Sequence, residues 1–248
     1  MPSEPPENLR NGHRRLDLDQ KPQATPAETE HWRGRAHCAL QRELGERYAW
    51  ARVQMRDFEL YHPNQRQVID WFTHSDNLRC LVQDGQNLIF FGPVGTAKDR
   101  LMAYAGYRAI DYLQPSADDL YSGVMPVHYL SGQEFYGRLR DLMDSEFKDD
   151  TEARYMHELA APLVLMISDP HPPYGKMTDF QSAQLYRVID RRYRLERSTW
   201  ITINAASVSE VEGKLTTPVF DRLRQDATLI FCNWPSYRER RQTRIGIE

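Results

Sequence analysis

A chain of 248 residues, of which 40% are hydrophobic and 27% are charged, can bury one substantial core. Its formal net charge of −3 at pH 7 argues against a protein that binds nucleic acid through an overall basic surface. Cys38, Cys80 and Cys232 stand far apart with no C-x-x-C pair, which favours neither a zinc site nor a disulfide framework. No apolar run approaches the roughly 18 residues of a membrane span, and the N-terminus has no signal-peptide core, so we expect a cytoplasmic protein without membrane association.

The N-terminal region divides into two predicted segments. Residues 1–29 carry many prolines among polar residues and little to bury, which predicts a disordered tail. Residues 30–60 are predicted to be a helical partner-binding segment, because apolar residues recur there at helical spacing among arginines. Such a helix can grip a partner helix or a phosphate backbone, or it can pack on its own domain with a solvated basic face. The sequence leaves both interpretations open.

Strand and helix patterns alternate through the rest of the chain. Helical spacing marks residues 64–72 and 209–224, a capping box at Thr178 opens another helix, and a further helix near residue 135 runs into an acidic stretch at 144–152. Residues 114–126 are predicted to be a loop. Short apolar runs predict five strands, at residues 88–91, 127–130, 163–167, 200–203 and 229–231. This alternation is typical of a parallel sheet with helices on both faces and ligands at the carboxyl ends of its strands.

A glycine-bearing turn follows the first of these strands. It meets the phosphate-binding pattern G-x-x-x-x-G-K-[ST] at Gly92 and Lys98, but has Ala97 in place of the second glycine and Asp99 in place of the hydroxyl. Backbone N–H groups, a helix dipole and Lys98 would all face one concavity. Taken alone, so imperfect a match is also compatible with a chance turn. The predicted nucleotide-binding residues are Gly92, Pro93, Val94, Gly95, Thr96, Ala97, Lys98, Asp99 and Arg100.

Two later strands end in polar residues that suit the same site. Asp169 follows the strand at 163–167, where a P-loop NTPase carries the acid that holds Mg²⁺ or positions water. An acid can also simply end an apolar strand. The order of the motifs favours function, because Asn204 ends the next strand in turn.

The chain from about residue 46 to 238 resembles the DnaC/IstB group of AAA+ ATPases, which are helicase loaders and transposase helpers. The matching pieces are residues 91–98 as Walker A, 163–169 as Walker B, 185–193 on the next helix, 202–204 as sensor I, 220–223, and the closing Asn-Trp-x-Ser-Tyr-Arg at 233–238. The resemblance implies an α/β fold, a P-loop NTPase αβα sandwich with a five-stranded parallel sheet, over residues 61–248 behind the helical segment. It further implies ATP and Mg²⁺ as cofactors, DNA binding, a homo-oligomer, and a helicase or a transposase as partner protein.

The resemblance also assigns roles to residues. Lys98 contacts the β- and γ-phosphates, Asn204 senses the γ-phosphate, and Arg238 is the sensor II arginine. Tyr61 and Gln65 would lie near the adenine.

Three departures from the family pattern shape the prediction. A methyl at Ala97 costs little if φ there is negative. The usual site pairs a hydroxyl on the P-loop with a carboxylate on Walker B, so Asp99 and Ser168 suggest a swapped metal site. In it Asp99 supplies the carboxylate, Ser168 supplies the hydroxyl, and Asp169 orients water. Loss of metal binding and hydrolysis is the competing interpretation. Residues 216–218 replace the arginine finger, for which Arg222 or Lys214 could substitute. The predicted catalytic residues are Asp169, Asn204, Arg238 and Arg222, and the predicted metal ligands are Asp99, Ser168 and Asp169.

Arginines concentrate along residues 187–197, as either a stripe that binds DNA phosphates or a solvated face paired with acids. The sequence therefore leaves two functions open. One is an ATPase that assembles on DNA and positions a partner protein, and the other is a nucleotide-binding adaptor that does not hydrolyse ATP. A small-molecule kinase is a weaker alternative, since nothing resembles a lid or an acceptor site.

Overall fold

The computed structural model describes residues 23–46, 48, 62–143, 148–172 and 175–236. Predictions that concern the tail from residue 1 to 22, Tyr61 and Arg238 fall outside the described residues.

The described chain alternates helices and strands as the sequence predicts. The strands are β1 (Leu88–Gly92), β2 (Val127–Ser131), β3 (Val164–Ser168), β4 (Ser198–Asn204) and β5 (Thr228–Phe231). The helices are α1 (Pro26–Leu44), α2 (Pro63–Trp71), α3 (Ser75–Val82), α4 (Lys98–Tyr112), α5 (Ala117–Tyr121), α6 (Gly132–Met143), α7 (Lys148–Ala160), α8 (Asp179–Arg194), α9 (Val208–Leu215) and α10 (Thr217–Arg224).

The five strands form one all-parallel sheet in the order β2-β3-β4-β1-β5, which confirms the predicted fold class. In register, Gly92 lies beside Asn204 and Ser168 lies beside Thr202. The ends of β1, β3 and β4 therefore meet at one edge, where polar side chains from three separate motifs come together.

Helices cover both faces of the sheet. Leu88 and Phe90 of β1 point into a core built with α1 to α4, while Ile89 and Phe91 point into a second core built with α6 to α10. Both faces are buried because successive strand residues alternate in direction, and each face has an apolar helix layer to cover it.

Helix α1 belongs to the first of these layers. It begins at Pro26, earlier than the predicted end of the tail at residue 29, because Thr25 and Glu28 form a capping box ahead of a proline in the first turn. It ends at Leu44, because Gly45 takes φ 71°. Residues 49–60 of the predicted helical segment lie outside the described residues. The apolar face, which includes Trp32 and Leu40, is buried against the domain.

Three local features differ from the prediction. Residues 148–152 of the acidic stretch belong to α7, whose Tyr155, Met156 and Leu159 are buried. The predicted loop at 114–126 holds the short α5, with a capping box at Ser116. The helical stretch 209–224 is two helices, because Thr216 takes φ 69° between them.

Candidate functional site

The turn after β1 requires glycine at two positions. Gly95 takes φ 85°, and a Cβ atom there would collide with the hydroxyl of Ser236. Gly92 is equally restricted, since a Cβ atom would collide with the carbonyl oxygen of Cys232. Pro93 and the half-exposed Val94 form the outer part of the turn. The N-terminus of α4 has no side-chain cap, so its amides remain available to an anion.

Ala97 is the N-cap of α4 and has φ 65° and ψ 28°, in the left-handed region. The condition for a harmless methyl, a negative φ, is therefore not met. A non-glycine residue costs about 1–2 kcal/mol in this conformation, because its Cβ approaches the following carbonyl. The loop keeps the shape that a glycine usually supplies, but with strain.

Lys98 is buried and turned back onto the loop. Its Nζ donates to the carbonyl oxygens of Gly92 at 2.9 Å and Pro93 at 2.8 Å, and to Oδ1 of Asn204 at 2.8 Å. The ammonium group of Lys98 is thus held at the centre of the turn, next to Asn204. Thr96 stabilises the turn by donating to the carbonyl of Pro93 at 2.9 Å, and Arg100 lies in the first turn of α4.

Asp99 and Ser168 are in direct contact, as the swap hypothesis requires. Ser168 Oγ donates to Asp99 Oδ1 at 2.8 Å, and Thr202 Oγ1 donates to the same oxygen at 2.6 Å. Thr202 is fully buried on β4 and was not among the predicted site residues. Its place beside Ser168 depends on the register of β3 and β4, so the sequence alone could not have assigned it to the site.

Asp169 continues the network at the edge of the sheet. Asn204 Nδ2 donates to Asp169 Oδ1 at 3.0 Å, so one amide links Asp169 to Lys98. Loss of hydration in the cleft, followed by the negative charge of Asp99, raises the pKa of Asp169 to about 6. Asp169 has φ 44°, and its backbone packs so closely on Gly132 that a Cβ atom there would collide with it.

The segment after β5 packs against the turn after β1. Trp234 Nε1 donates to the carbonyl of Thr96 at 2.7 Å, and the Trp234 ring stacks on His62 with centroids 6.2 Å apart. Ser236 lies against Gly95. The closing motif is therefore tied to the turn up to two residues before Arg238.

Arg222 does not reach the network within its own chain. Its Nε lies 3.4 Å from Asp190 Oδ1, and its guanidinium lies over the Tyr193 ring at 4.9 Å. Hydrogen bonding with Tyr186, followed by the charge of Asp190, raises the pKa of this guanidinium. These contacts place Arg222 on the face of α8, and its predicted catalytic role stays a prediction.

The arginines of residues 187–197 differ in their surroundings. Arg192 is fully buried, Arg187 pairs with Glu152, and Arg194 pairs with Asp190 at 3.0 Å. Arg187 and Arg194 thus pair with acids of α7 and α8, whereas Arg191 contacts His157. Binding of DNA phosphates along this stretch stays a prediction.

The oxygen donors at this edge fit a hard cation. Asp99 and Asp169 offer carboxylates, and Ser168 and Thr202 offer hydroxyls. The described ranges contain no group of three or more His, Cys, Asp or Glu side chains that could hold a metal alone. Phosphate oxygens and water would have to complete the coordination, which is the usual arrangement for Mg²⁺. In the part of the chain that the structure describes, no helix is both long and apolar enough to cross a membrane.

The strand order, the turn after β1 and the polar ends of β3 and β4 give the chain the fold of an AAA+ P-loop NTPase. Neither a protein-family model nor a curated protein matches the sequence. Solved structures do: the DnaC helicase loader is similar with a TM-score of 0.56 and 18% identity over 75% of this chain and 99% of that one. DnaI is similar with a TM-score of 0.52 and 16% identity over 75% of this chain and 90% of that one.

The replication initiator DnaA, bound to AMPPCP and single-stranded DNA, is similar with a TM-score of 0.53 and 16% identity. That match spans 76% of this chain and half of the DnaA chain. These identities show the fold. The predicted resemblance to DnaC-type AAA+ proteins is confirmed at that level.

Proposed function

We propose that the chain is an ATP-binding AAA+ protein of the DnaC/IstB type that assembles on DNA as a homo-oligomer and loads or positions a partner protein, either a replicative helicase or a transposase. The observation that carries the proposal is the network of Lys98, Asn204 and Asp169 below an uncapped helix N-terminus. A cytoplasmic setting fits this function. DNA and helicase partners are suggested by the neighbours, which include a helicase loader and an initiator bound to single-stranded DNA.

Within the site, Lys98 would leave the carbonyls of Gly92 and Pro93 to bind phosphate oxygens, and the amides of the turn would hold the remaining charge. Asn204 would then contact the γ-phosphate. Asp169, with its raised pKa, would accept a proton from the attacking water. Mg²⁺, when bound, would neutralise phosphate charge beside Asp99, Ser168 and Asp169.

The contact between Ser168 and Asp99 supports the swapped metal site, because the carboxylate comes from the first turn of α4 and the hydroxyl from the end of β3, the reverse of the usual arrangement. A carboxylate about 4 Å from a phosphate repels it by roughly 4 kcal/mol at an effective dielectric of 20. We therefore expect ATP to bind at least ten times more tightly in Mg²⁺ than in EDTA. Equal ATP affinities in Mg²⁺ and in EDTA would contradict the swapped metal site.

Exchanging the two residues back gives a sharper experiment. Asp99→Ser should lose most of the Mg²⁺ dependence, and Ser168→Asp should weaken ATP binding because it places a second carboxylate beside Asp99. The double variant should recover Mg²⁺-dependent binding, because it restores one carboxylate and one hydroxyl. Titration of a fluorescent ATP analogue measures all four proteins, and a double variant worse than both single variants contradicts the swap.

A non-hydrolysing adaptor is the second candidate function, and Pro218 in the position of the arginine finger favours it. Phosphate release with and without single-stranded DNA separates the two. No release under either condition, with ATP still bound, supports the adaptor.

A further inference from the structure

A second lysine stands beside the network of Lys98, Asn204 and Asp169. Lys214 lies near the end of α9, and its Nζ reaches back to donate to the backbone carbonyl of Asn204. The ammonium also pairs with Glu210 Oε1 at 2.8 Å. Glu210 is itself fixed, because its other carboxylate oxygen accepts from the Ala206 amide at 2.6 Å. The position of the lysine is therefore determined by the helix that follows sensor I.

This placement brings the charge of Lys214 to the reacting side of the site. Asn204, which it contacts through the backbone, holds Lys98 and Asp169 through its side chain. The positive charge of Lys214 therefore lies against the residue at the end of β4 that joins Lys98 to Asp169.

Residues 216–218 occupy the position of the arginine finger that a neighbouring subunit contributes in the family, and they include no cation. Thr217 and Pro218 begin α10, and Pro218 carries no charge. Arg222 on the same helix is directed to Asp190 and Tyr193. Among the cations on α9 and α10, Lys214 is therefore the one that contacts Asn204 of its own chain.

We propose that Lys214 supplies, from the same chain, the positive charge that stabilises the γ-phosphate during hydrolysis, so that the site needs no cation from a neighbouring subunit. The inference rests on the proposed function. The water oxygen bonds to the γ-phosphorus while the bond to the β–γ bridging oxygen breaks, ADP leaves with that electron pair, and the water proton passes to Asp169. Lys214 opposes the charge that accumulates on the γ-phosphate oxygens.

The test measures phosphate release per chain over a dilution series that spans assembled and monomeric protein. For the wild type we expect a rate per chain that does not change on dilution. Lys214→Met should lower the rate about a hundredfold, the size of effect seen when one charge-stabilising donor is removed. It should also reduce the preference for MgATP over MgADP, while Lys214→Arg should recover most of both.

Arg224→Met is the matched control, because Arg224 is a cation of the adjacent helix paired with Asp221 at 3.0 Å. It should keep the wild-type rate. Binding of MgADP and the melting temperature establish that each variant is folded. A wild-type rate that falls on dilution, a Lys214→Met rate equal to the wild type, or MgATP binding without any release would each overturn the inference. Failure of the wild type to bind MgATP would instead overturn the proposed function.

Discussion

Ala97 is the residue at which backbone and side chain conflict most directly. Its φ of 65° puts the methyl group against the following carbonyl, in a turn whose shape is fixed by Gly95 and by the start of α4. A glycine relieves that contact, although its greater freedom in the unfolded chain offsets part of the gain.

We therefore expect Ala97→Gly to raise the free energy of unfolding by about 0.5–1 kcal/mol. Ala103→Gly is the control, since Ala103 is buried within the same helix and glycine there should cost about 1 kcal/mol or more. Urea denaturation of the three proteins measures both changes. Destabilisation by Ala97→Gly would contradict the left-handed conformation.

The raised pKa of Asp169 predicts a pH-dependent stability. Because folding raises this pKa from 3.8 to about 6, the carboxyl contributes stability that is complete below pH 4 and is lost as the pH rises through 6. Asp169→Asn removes the penalty on the charged form and retains an acceptor for Asn204.

A pKa shift of this size would correspond to roughly 3 kcal/mol, but part of the Asp169 side chain remains exposed, so solvent screening should reduce the effect to about 1 kcal/mol. We expect Asp169→Asn to unfold at higher denaturant than the wild type at pH 8 and at the same denaturant concentration at pH 4. If Asp169→Asn is more stable than the wild type by the same amount at pH 4, the ionisation of Asp169 is not the cause of the difference.

At the scale of elements, Arg192 joins α8 to the strands beside it. Its guanidinium is fully buried and donates to Thr199 Oγ1 and to the carbonyl oxygens of Leu159, Pro162, Leu163 and Ser198. These acceptors lie at the end of α7, before β3 and at the start of β4. Burial lowers the pKa of this guanidinium to about 9, which still leaves it charged at neutral pH.

Arg192→Met should destabilise the protein by about 3 kcal/mol or more, because it leaves buried carbonyls without donors. Arg194→Met, on the same helix but 70% exposed and paired with Asp190, should change stability by less than about 0.5 kcal/mol. Chemical denaturation distinguishes the two. Equal effects would mean that Arg192 acts as surface charge.

At the scale of the whole molecule, periodicity and motif order were sufficient to predict the sheet and the edge where the site lies. All five strands were predicted, because each contains a run of mainly apolar residues too short for a helix, with a helical pattern between one run and the next. Helix α7 was missed since its three buried residues follow an acidic stretch. Thr202 and the φ of Ala97 could not be predicted, because one depends on strand register and the other on the packing of the turn.

The packing of α1 predicts how the chain responds to truncation. Trp32, Leu40 and Leu44 are buried in the first core, and Glu43 binds the Tyr129 amide of β2 at 2.8 Å. Burial of three such side chains contributes roughly 5–8 kcal/mol, which is comparable to the whole stability of a typical domain. Removal of residues 1–45 should therefore leave a protein that unfolds or aggregates near 25 °C.

Removal of residues 1–22 alone keeps α1 and its cap, so we expect a melting temperature within about 2 °C of the full chain. Thermal unfolding followed by circular dichroism compares the three lengths. A chain starting at residue 46 that melts like the full protein would show that α1 is a separable partner-binding segment. The buried face argues for the opposite result, so a partner that binds α1 would contact its solvent side, where Arg35 and Arg42 are exposed.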